Sequence, residues 1–486
     1  MVTFFISVIL LIGGYFLYGK LIERIFGIQV DRKTPAYEHT DGVDYVPMSW
    51  WRIFLIQFLN IAGLGPIFGA IMGAVYGPAA FLWIVLGSIF GGAVHDYLSG
   101  MLSIRDKGMS LPEIIGKHMG VGFKQFMRVF TILLMILVGT VFVAGPAQLL
   151  ADMTPGWLGF TAWCVIIFVY YILATLLPID KIIGKIYPVF GFAMLFMAVG
   201  IGGALIWNGS PIPEAIPANL HNMNPDPEKF PIFPMLFISI ACGAISGFHA
   251  TQSPLMARCL KNEREGRRVF YGAMIAEAIV ALIWAAAAMS FFGSVGGLQE
   301  FLKDNENSAA VVVSTIAHSW LGAFGGMLAI IGVIAAPITS GDTAFRSARL
   351  MVSDFINYSQ KEINHRVIVA APLFIAALAL LQADFDVIWR YFAWSNQTLA
   401  TVTLWTITVY LVREKKLYWL TLFPALFMTM VISTYIVVAP EMLNLPVNIG
   451  YPAGAACTVA AWAVFVWWQM KANRKTQMKA NRKTQG

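Results

Sequence analysis

Asn60-Ile-Ala-Gly-Leu-Gly-Pro66 and Ala241-Cys-Gly-Ala-Ile-Ser-Gly-Phe-His249 each interrupt an apolar run with glycine, well inside it, where a membrane helix ordinarily stays regular. Backbone that leaves helical geometry at bilayer depth must be buried in protein or line a wet cavity, because lipid satisfies no N–H or C=O group. Two such breaks, each opening one half of a chain, point to the substrate site of an inverted-repeat transporter. The expectation is that 60–66 and 241–249 face each other across a solvated chamber.

Working outward, the class follows from composition. The chain is 58% hydrophobic and 12% charged, with mean hydropathy +0.71, whereas soluble domains run about 25% charged. Apolar runs of roughly 20 residues, enough for a hydrocarbon core of about 30 Å, recur at 2–19, 51–75, 79–104, 123–150, 157–177, 183–207, 232–257, 267–292, 320–345, 363–382, 389–412, 417–438 and 451–469. The reading is an all-α polytopic protein of about 13 transmembrane helices in a lipid bilayer. Its first span reads as an anchor rather than a cleaved leader, since Lys20 and Arg24 follow it and nothing basic precedes it.

The net charge of +7 is explained by where the cations lie. With the N-terminus outside, 30 of the 33 Lys and Arg fall in inside segments, leaving Lys229, Lys303 and Arg390 outside. That asymmetry predicts an outside N-terminus and a cytoplasmic C-terminus. No basic stripe calls for nucleic acid. The four cysteines (Cys164, Cys242, Cys259, Cys457) lack metal-type spacing, so neither a disulfide framework nor a metal site is expected.

Residues 1–50 hold the first span and a cytoplasmic linker. Five spans (51–207) lead to a Pro-rich outside loop (208–230), five more follow (231–412), then two accessory spans (413–469) and a basic tail (470–486). The tail repeats Met470-Lys-Ala-Asn-Arg-Lys-Thr-Gln477 at 478–485 and is expected to be disordered, either a duplication without function or a lipid-headgroup contact. Five is odd, so the second group enters the membrane inverted: a LeuT-like 5+5 repeat. A short helix at Ser308–Ser319, near Lys303, Asp304 and Glu306, is a candidate cap for the outer mouth.

At the breaks, half-helix ends aim partial charges inward. Gly63, Gly65, Gly243 and Gly247 let backbone approach a ligand, or simply allow close helix packing. Asn60, Ser239, Ser246 and His249 supply side chains, with His249 a ligand donor or a structural hydrogen-bonder. Glu277 lies deep in a span, where an ionised carboxylate is costly. It reads as a proton carrier, a protonated hydrogen-bonder or a buried partner for an Arg. Thr339 and Ser340, with the Ala336 carbonyl one turn earlier, are hard-cation ligands in type. With the carbonyls of Leu59 and Ala62 they parallel a sodium site of LeuT-like transporters, by fold-level analogy; such hydroxyls also bond back to their own helix. Asp342 and Arg346 sit at i,i+4, and Asp96 is read as ending a span beside His95. All three are candidates for cytoplasmic gating or for satisfied boundary charges. Asn396, in Ser395-Asn-Gln397, is polar enough to face the interior.

These residues carry a resemblance. Asp41-Gly-Val-Asp-Tyr-Val-Pro47, Ile61-Ala-Gly-Leu-Gly-Pro66, His95-Asp96, Arg105-Asp-Lys-Gly108, Ala241–His249, Gly272-Ala-Met with Glu277, Asp342 with Arg346, and Ser395-Asn-Gln397 together resemble the carbon starvation protein (CstA) family over roughly residues 1–412. The resemblance implies a LeuT-fold importer of the bacterial inner membrane, taking up peptides, or in some members pyruvate, under carbon limitation. After His249 many members continue in a Ser/Gly/Thr-rich run, where this chain has Ala250-Thr-Gln-Ser-Pro254.

The expected function is secondary active import of a small molecule, short peptides first and pyruvate or another monocarboxylate second. Coupling is to protons through Glu277 or to a bound Na+ at Thr339 and Ser340, with no other cofactor. The rivals are a channel, for which no charged ring or carbonyl filter is visible, and a membrane nutrient sensor, which lacks a signalling domain to drive. No nucleophile–base pair marks an enzyme.

Overall fold

The computed structural model describes residues 1–176, 179–305, 307–383 and 385–484, without the side chains of 179–186, 188, 386 and 473–484. Glu306 and the side chains of Lys181, Lys185 and nearly all of the tail repeat therefore lie outside the described residues; the backbone of that tail, expected to be disordered, instead continues the last helix to Thr484.

Among the described residues all regular structure is helical. In chain order the helices are α1 Val2–Phe26, α2 Trp50–Ala62, α3 Gly65–Ala74, α4 Ala79–Arg105, α5 Leu111–Met119, α6 Val121–Met153, α7 Phe160–Leu176 and α8 Ile179–Trp207. The second half holds α9 Ile232–Ser239, α10 Gly247–Ala257, α11 Glu263–Phe291, α12 Val295–Asp304, α13 Ala309–Ile356, α14 Ile363–Leu380, α15 Phe385–Arg413, α16 Trp419–Val438 and α17 Val447–Thr484. Nine single helices are long and apolar enough to cross a bilayer, and the bent pair α2–α3 makes a tenth, among the described residues. This is an integral membrane protein. Every span read from the sequence falls on a helix, but α7 has 17 residues and α9 and α10 have 8 and 11. The full count of thirteen needs these shorter pieces and also α15, which has 29 residues but is not among the nine.

Burial separates centre from rim. The most apolar windows of α4 and α11 are 78% and 83% buried, those of α1 and α17 only 28% and 17%. Exposed Ile9, Leu17, Val459 and Val464 on the rim helices are what a lipid-facing surface requires.

Loop contacts sort into two ends. At one end Arg105 reaches the Gly27 carbonyl (2.6 Å), Glu263 and Tyr410. There too Arg413 binds the His118 carbonyl, Lys416 binds Phe26, and Arg346 binds Asp44. These are the Lys/Arg-rich segments grouped as inside. At the other end Gln299 of α12 donates to the carbonyls of Val75 and Met223 (2.9 and 2.6 Å), and Glu214 accepts from the Thr3 N–H at 2.6 Å. The short helix read at Ser308–Ser319 is the start of α13. Ser308 caps it, and the chain turns at Gly322, whose φ of 70° a glycine adopts freely.

Both breaks are present. α2 and α3 meet at 54° across Gly63, with φ 40° and ψ −146°, a region closed to residues with a Cβ. Pro66 then opens α3 without wasting a donor. In the second break Ile240 leaves the helix, the Ala241 carbonyl turns the chain by accepting from Ala244 and Ile245 (3.0 and 2.8 Å), and Ser246 is extended before α10.

Candidate functional site

The two breaks touch. A Cβ on Gly65 would lie 2.3 Å from the Cβ of Cys242, and one on Gly69 would lie 2.7 Å from the Ser239 carbonyl. Sequence reading placed a solvated chamber between them. In this conformation they are instead packed directly together, with Asn60, Leu64, Ile240, Cys242 and Ser246 all at most 1% exposed. Small residues permit that approach.

α4 supports the second break. Trp83 donates to the Ile240 carbonyl (2.9 Å) and Ser88 to the Gly243 carbonyl (3.0 Å), so unwound carbonyls are satisfied by side chains. Asn396 of α15 occupies the start of α10. Its amide oxygen accepts from the Phe248 N–H (2.6 Å), and its amide nitrogen donates to Ser246 (2.8 Å). Gly247 lies against the Asn396 backbone, with room for no Cβ. Ser239 ends α9 half-buried, its hydroxyl paired with Tyr76. Thus Ser246, Gly247 and Asn396 form one joint, with Ser239 outside it.

Beside that joint lies a sealed cluster of titratable groups. The Asp96 carboxylate is held by His95 Nδ1 and His249 Nδ1, both at 2.8 Å. A carboxylate only accepts, so each imidazole donates from Nδ1 and keeps Nε2 free. His249 Nε2 points to Glu277 Oε2 at 3.4 Å. All four side chains are fully buried, and among the described residues His95 Nε2, His249 Nε2 and both Glu277 oxygens have no hydrogen-bond partner. This corrects the placing of Asp96 at the end of a span. It lies within α4, and it belongs with His249 and Glu277 rather than with Asp342 and Arg346. Glu277 faces an imidazole, not an arginine. Cys242 Sγ lies with His249 and Glu277, their ligand atoms all within 4.8 Å of one another.

Two amides on α2 stand unpaired. Asn60 and Gln57 are each 0% exposed, with oxygen and nitrogen both lacking partners among the described residues. Leaving one such group unsatisfied costs about 1–3 kcal/mol, so a polar occupant is favoured there. Gln57 was not singled out from the sequence, although it precedes Asn60 by three residues and so shares its face.

Thr339 and Ser340 meet Leu59 as expected. Thr339 Oγ1 is 3.2 Å from the Leu59 carbonyl, 3.0 Å from that of Ala335 and 2.8 Å from that of Ala336. Ser340 Oγ is 3.0 Å from Leu59 and 2.9 Å from Ala336. Two hydroxyl protons serve five close oxygen contacts, so part of this cluster is oxygen against oxygen, the arrangement a hard cation relieves. The back-bonding geometry is present in the same contacts. Ala62 is buried at the end of α2 but, among the described residues, the two hydroxyls bond to Leu59, Ala335 and Ala336 instead.

Asp342 and Arg346 take separate partners. Asp342 accepts from the hydroxyls of Tyr170 and Tyr187 (2.8 and 2.9 Å). Arg346 reaches Asp44 at 3.1 Å and the Ala174 carbonyl, and Arg349 lies 3.6 Å from the same aspartate. Burial of Asp44 in the linker before α2 would raise its carboxyl, but Arg349, Arg346 and Arg258 together outweigh that and hold it below the usual range. Asp44 is therefore the anion that Arg346 and Arg349 share, a residue quoted from the sequence without a role.

The sequence pattern of the family described as carbon starvation protein CstA matches residues 1–208, 157–321 and 295–435. An uncharacterized membrane protein of Haemophilus influenzae is 48% identical over 348 residues, spanning 62% of this chain and 94% of that one. A protein of Campylobacter jejuni named peptide transporter CstA is 28% identical over 539 residues, 85% of this chain and 76% of the relative. One of Escherichia coli named pyruvate/proton symporter BtsT is 29% identical over 344 residues, 58% and 48% of the two chains.

Proposed function

The chain belongs to the carbon starvation protein CstA family, and on that premise we propose that it is a secondary active transporter importing small nutrients across the bacterial inner membrane by alternating access. The architecture proposed is the 5+5 inverted repeat, 51–207 against 231–412, flanked by one N-terminal and two C-terminal helices. The observation that carries the reading is the joint of two broken helices at Gly65 and Cys242, beside the sealed Asp96–His249–Glu277 cluster. A channel has no need to bury such groups in a closed core, whereas a carrier must occlude its site between openings.

Short peptides are the first substrate class. The unpaired amides of Asn60 and Gln57 offer both a donor and an acceptor, which is what a peptide group requires. Pyruvate is the second reading, favoured by the relative named as a pyruvate/proton symporter. Coupling runs through protons at Glu277 or through sodium at Leu59, Ala336, Thr339 and Ser340. Asp44 with Arg346 and Arg349 forms the gate on the Lys/Arg-rich end, which the positive-inside rule makes cytoplasmic.

The test is purified protein in proteoliposomes under an imposed proton or sodium gradient, supplied with labelled dipeptide or pyruvate. Accumulation above the equilibrium level is expected for one of them. Failure to accumulate either, in protein shown to be folded, removes the substrate assignment.

A further inference from the structure

Cys242, His249 and Glu277 bring a thiol, an imidazole nitrogen and a carboxylate to one point, from the second break, the start of α10 and the middle of α11. We infer that this is a binding site for a transition metal ion of the zinc type, which staples the broken helix to α11. A tetrahedral site with bonds of about 2.0–2.3 Å places its ligands roughly 3.3–3.8 Å apart. His249 Nε2 and Glu277 Oε2 already stand 3.4 Å apart, and the three ligand atoms lie within 4.8 Å of one another. The Cys242 sulfur, within 4.8 Å of both, is the ligand that moves inward on an ion.

Two independent features point to a cation here. Among the described residues neither Glu277 oxygen nor His249 Nε2 has a hydrogen-bond partner, although each is completely buried. The surroundings also orient the donors as metal sites require. Asp96 holds His249 through Nδ1 at 2.8 Å, the carboxylate–histidine arrangement that fixes Nε2 as the ligand atom. Cys242 Sγ is contacted by Ser246 and Asn396 at 3.5 and 3.6 Å. A mixed sulfur, nitrogen and oxygen set suits Zn2+ and its neighbours and disfavours Mg2+ or Ca2+.

Three protein ligands leave the fourth position open. Gly243 packs against α11 so tightly that a Cβ would lie 2.6 Å from the Ala281 methyl, so the ion joins two elements already in contact. Holding them together stabilises the closed arrangement, and Zn2+ then acts as a brake on any cycle that separates the break from α11.

The experiment uses full-length protein carrying Cys457→Ser, which removes the exposed thiol, titrated with Co2+ alone in detergent. One equivalent is expected, with a thiolate-to-cobalt charge-transfer band, displaced by Zn2+. Cys242→Ser should abolish the band. Asp96→Asn should keep it while weakening affinity roughly 10–100-fold, the usual cost of losing the group that orients a ligating histidine. Should Cys242→Ser fail to fold, His249→Gln carries the test, with at least tenfold weaker Co2+ binding. Absence of the band in the parent protein, its survival in Cys242→Ser, or unchanged affinity in His249→Gln overturns the site. A gap bridged only by a proton would give no band. The readout needs no transport, so it stands or falls apart from the transporter reading.

Discussion

Gly65→Ala tests the joint between the breaks directly. The added methyl would sit 2.3 Å from the Cys242 Cβ and 2.5 Å from its sulfur, and must reach at least 3.4 Å for ordinary contact. The sulfur can rotate away but the Cys242 Cβ cannot, so backbone has to move. Overpacking of this kind costs about 1–3 kcal/mol. Alanine for glycine inside a helix otherwise gains about 0.5–1 kcal/mol, so the sign of the result is informative. Gly203 of α8, with nothing within 4 Å of its would-be Cβ, supplies the control, and Gly203→Ala should be neutral or slightly stabilising. Thermal unfolding in detergent should rank Gly65→Ala below the parent and Gly203→Ala at or above it, with uptake in proteoliposomes reduced only in the former. Adding Cys242→Gly removes the opposing atoms. The double variant should therefore recover stability relative to the sum of the singles, as contacting residues do. Gly65→Ala as stable as Gly203→Ala, or strict additivity in the double variant, would refute the packed joint.

Glu277→Gln should abolish proton-driven accumulation while sparing substrate exchange; undiminished accumulation clears Glu277 of coupling. Thr339→Ala with Ser340→Ala should remove any sodium dependence of uptake, and an unchanged sodium response rules out the oxygen cluster as the ion site. Asp44→Asn leaves Arg346 and Arg349 buried without their anion, and breaking such a pair costs roughly 3–5 kcal/mol, read as a lower unfolding temperature. Because the Asp44 carboxyl is held below its usual range, its contribution is complete above the unfolded value of about 3.9. It is lost as pH falls through the lower folded value. Stability should therefore drop at that acid end in the parent and less in the variant, and equal acid limbs would contradict the assignment.

What local chemistry controls was legible. Glycine clustered with glycine or proline marks where a helix can break, so Gly63, Pro66 and Gly243 marked the breaks without a partner in view, although Gly139 and Pro146 sit inside the unbroken α6. The two ends were equally readable, since Lys and Arg pay for burial residue by residue. The partnerships were not, because they join distant segments: Asp96 to His249 across 153 positions and Arg346 to Asp44 across 302. The i,i+4 spacing of Asp342 and Arg346 made a pair look local, yet Tyr170 and Tyr187 pack against that face of α13 and satisfy the aspartate first. The cysteine–histidine–carboxylate cluster escaped for the same reason, as positions 242, 249 and 277 follow no short metal motif and converge only when α11 packs on the break. Asp96 shows how a correct local reading misleads. The His95-Asp96 pair looks like charges at a membrane surface, yet the span read as 79–104 already runs past it, and α4 continues to Arg105. That continuation holds the carboxylate in the interior, where only two imidazoles make its burial tolerable. A charge kept so deep, with its partners drawn from both halves of the chain, ties the halves together at the point where a carrier must let them part.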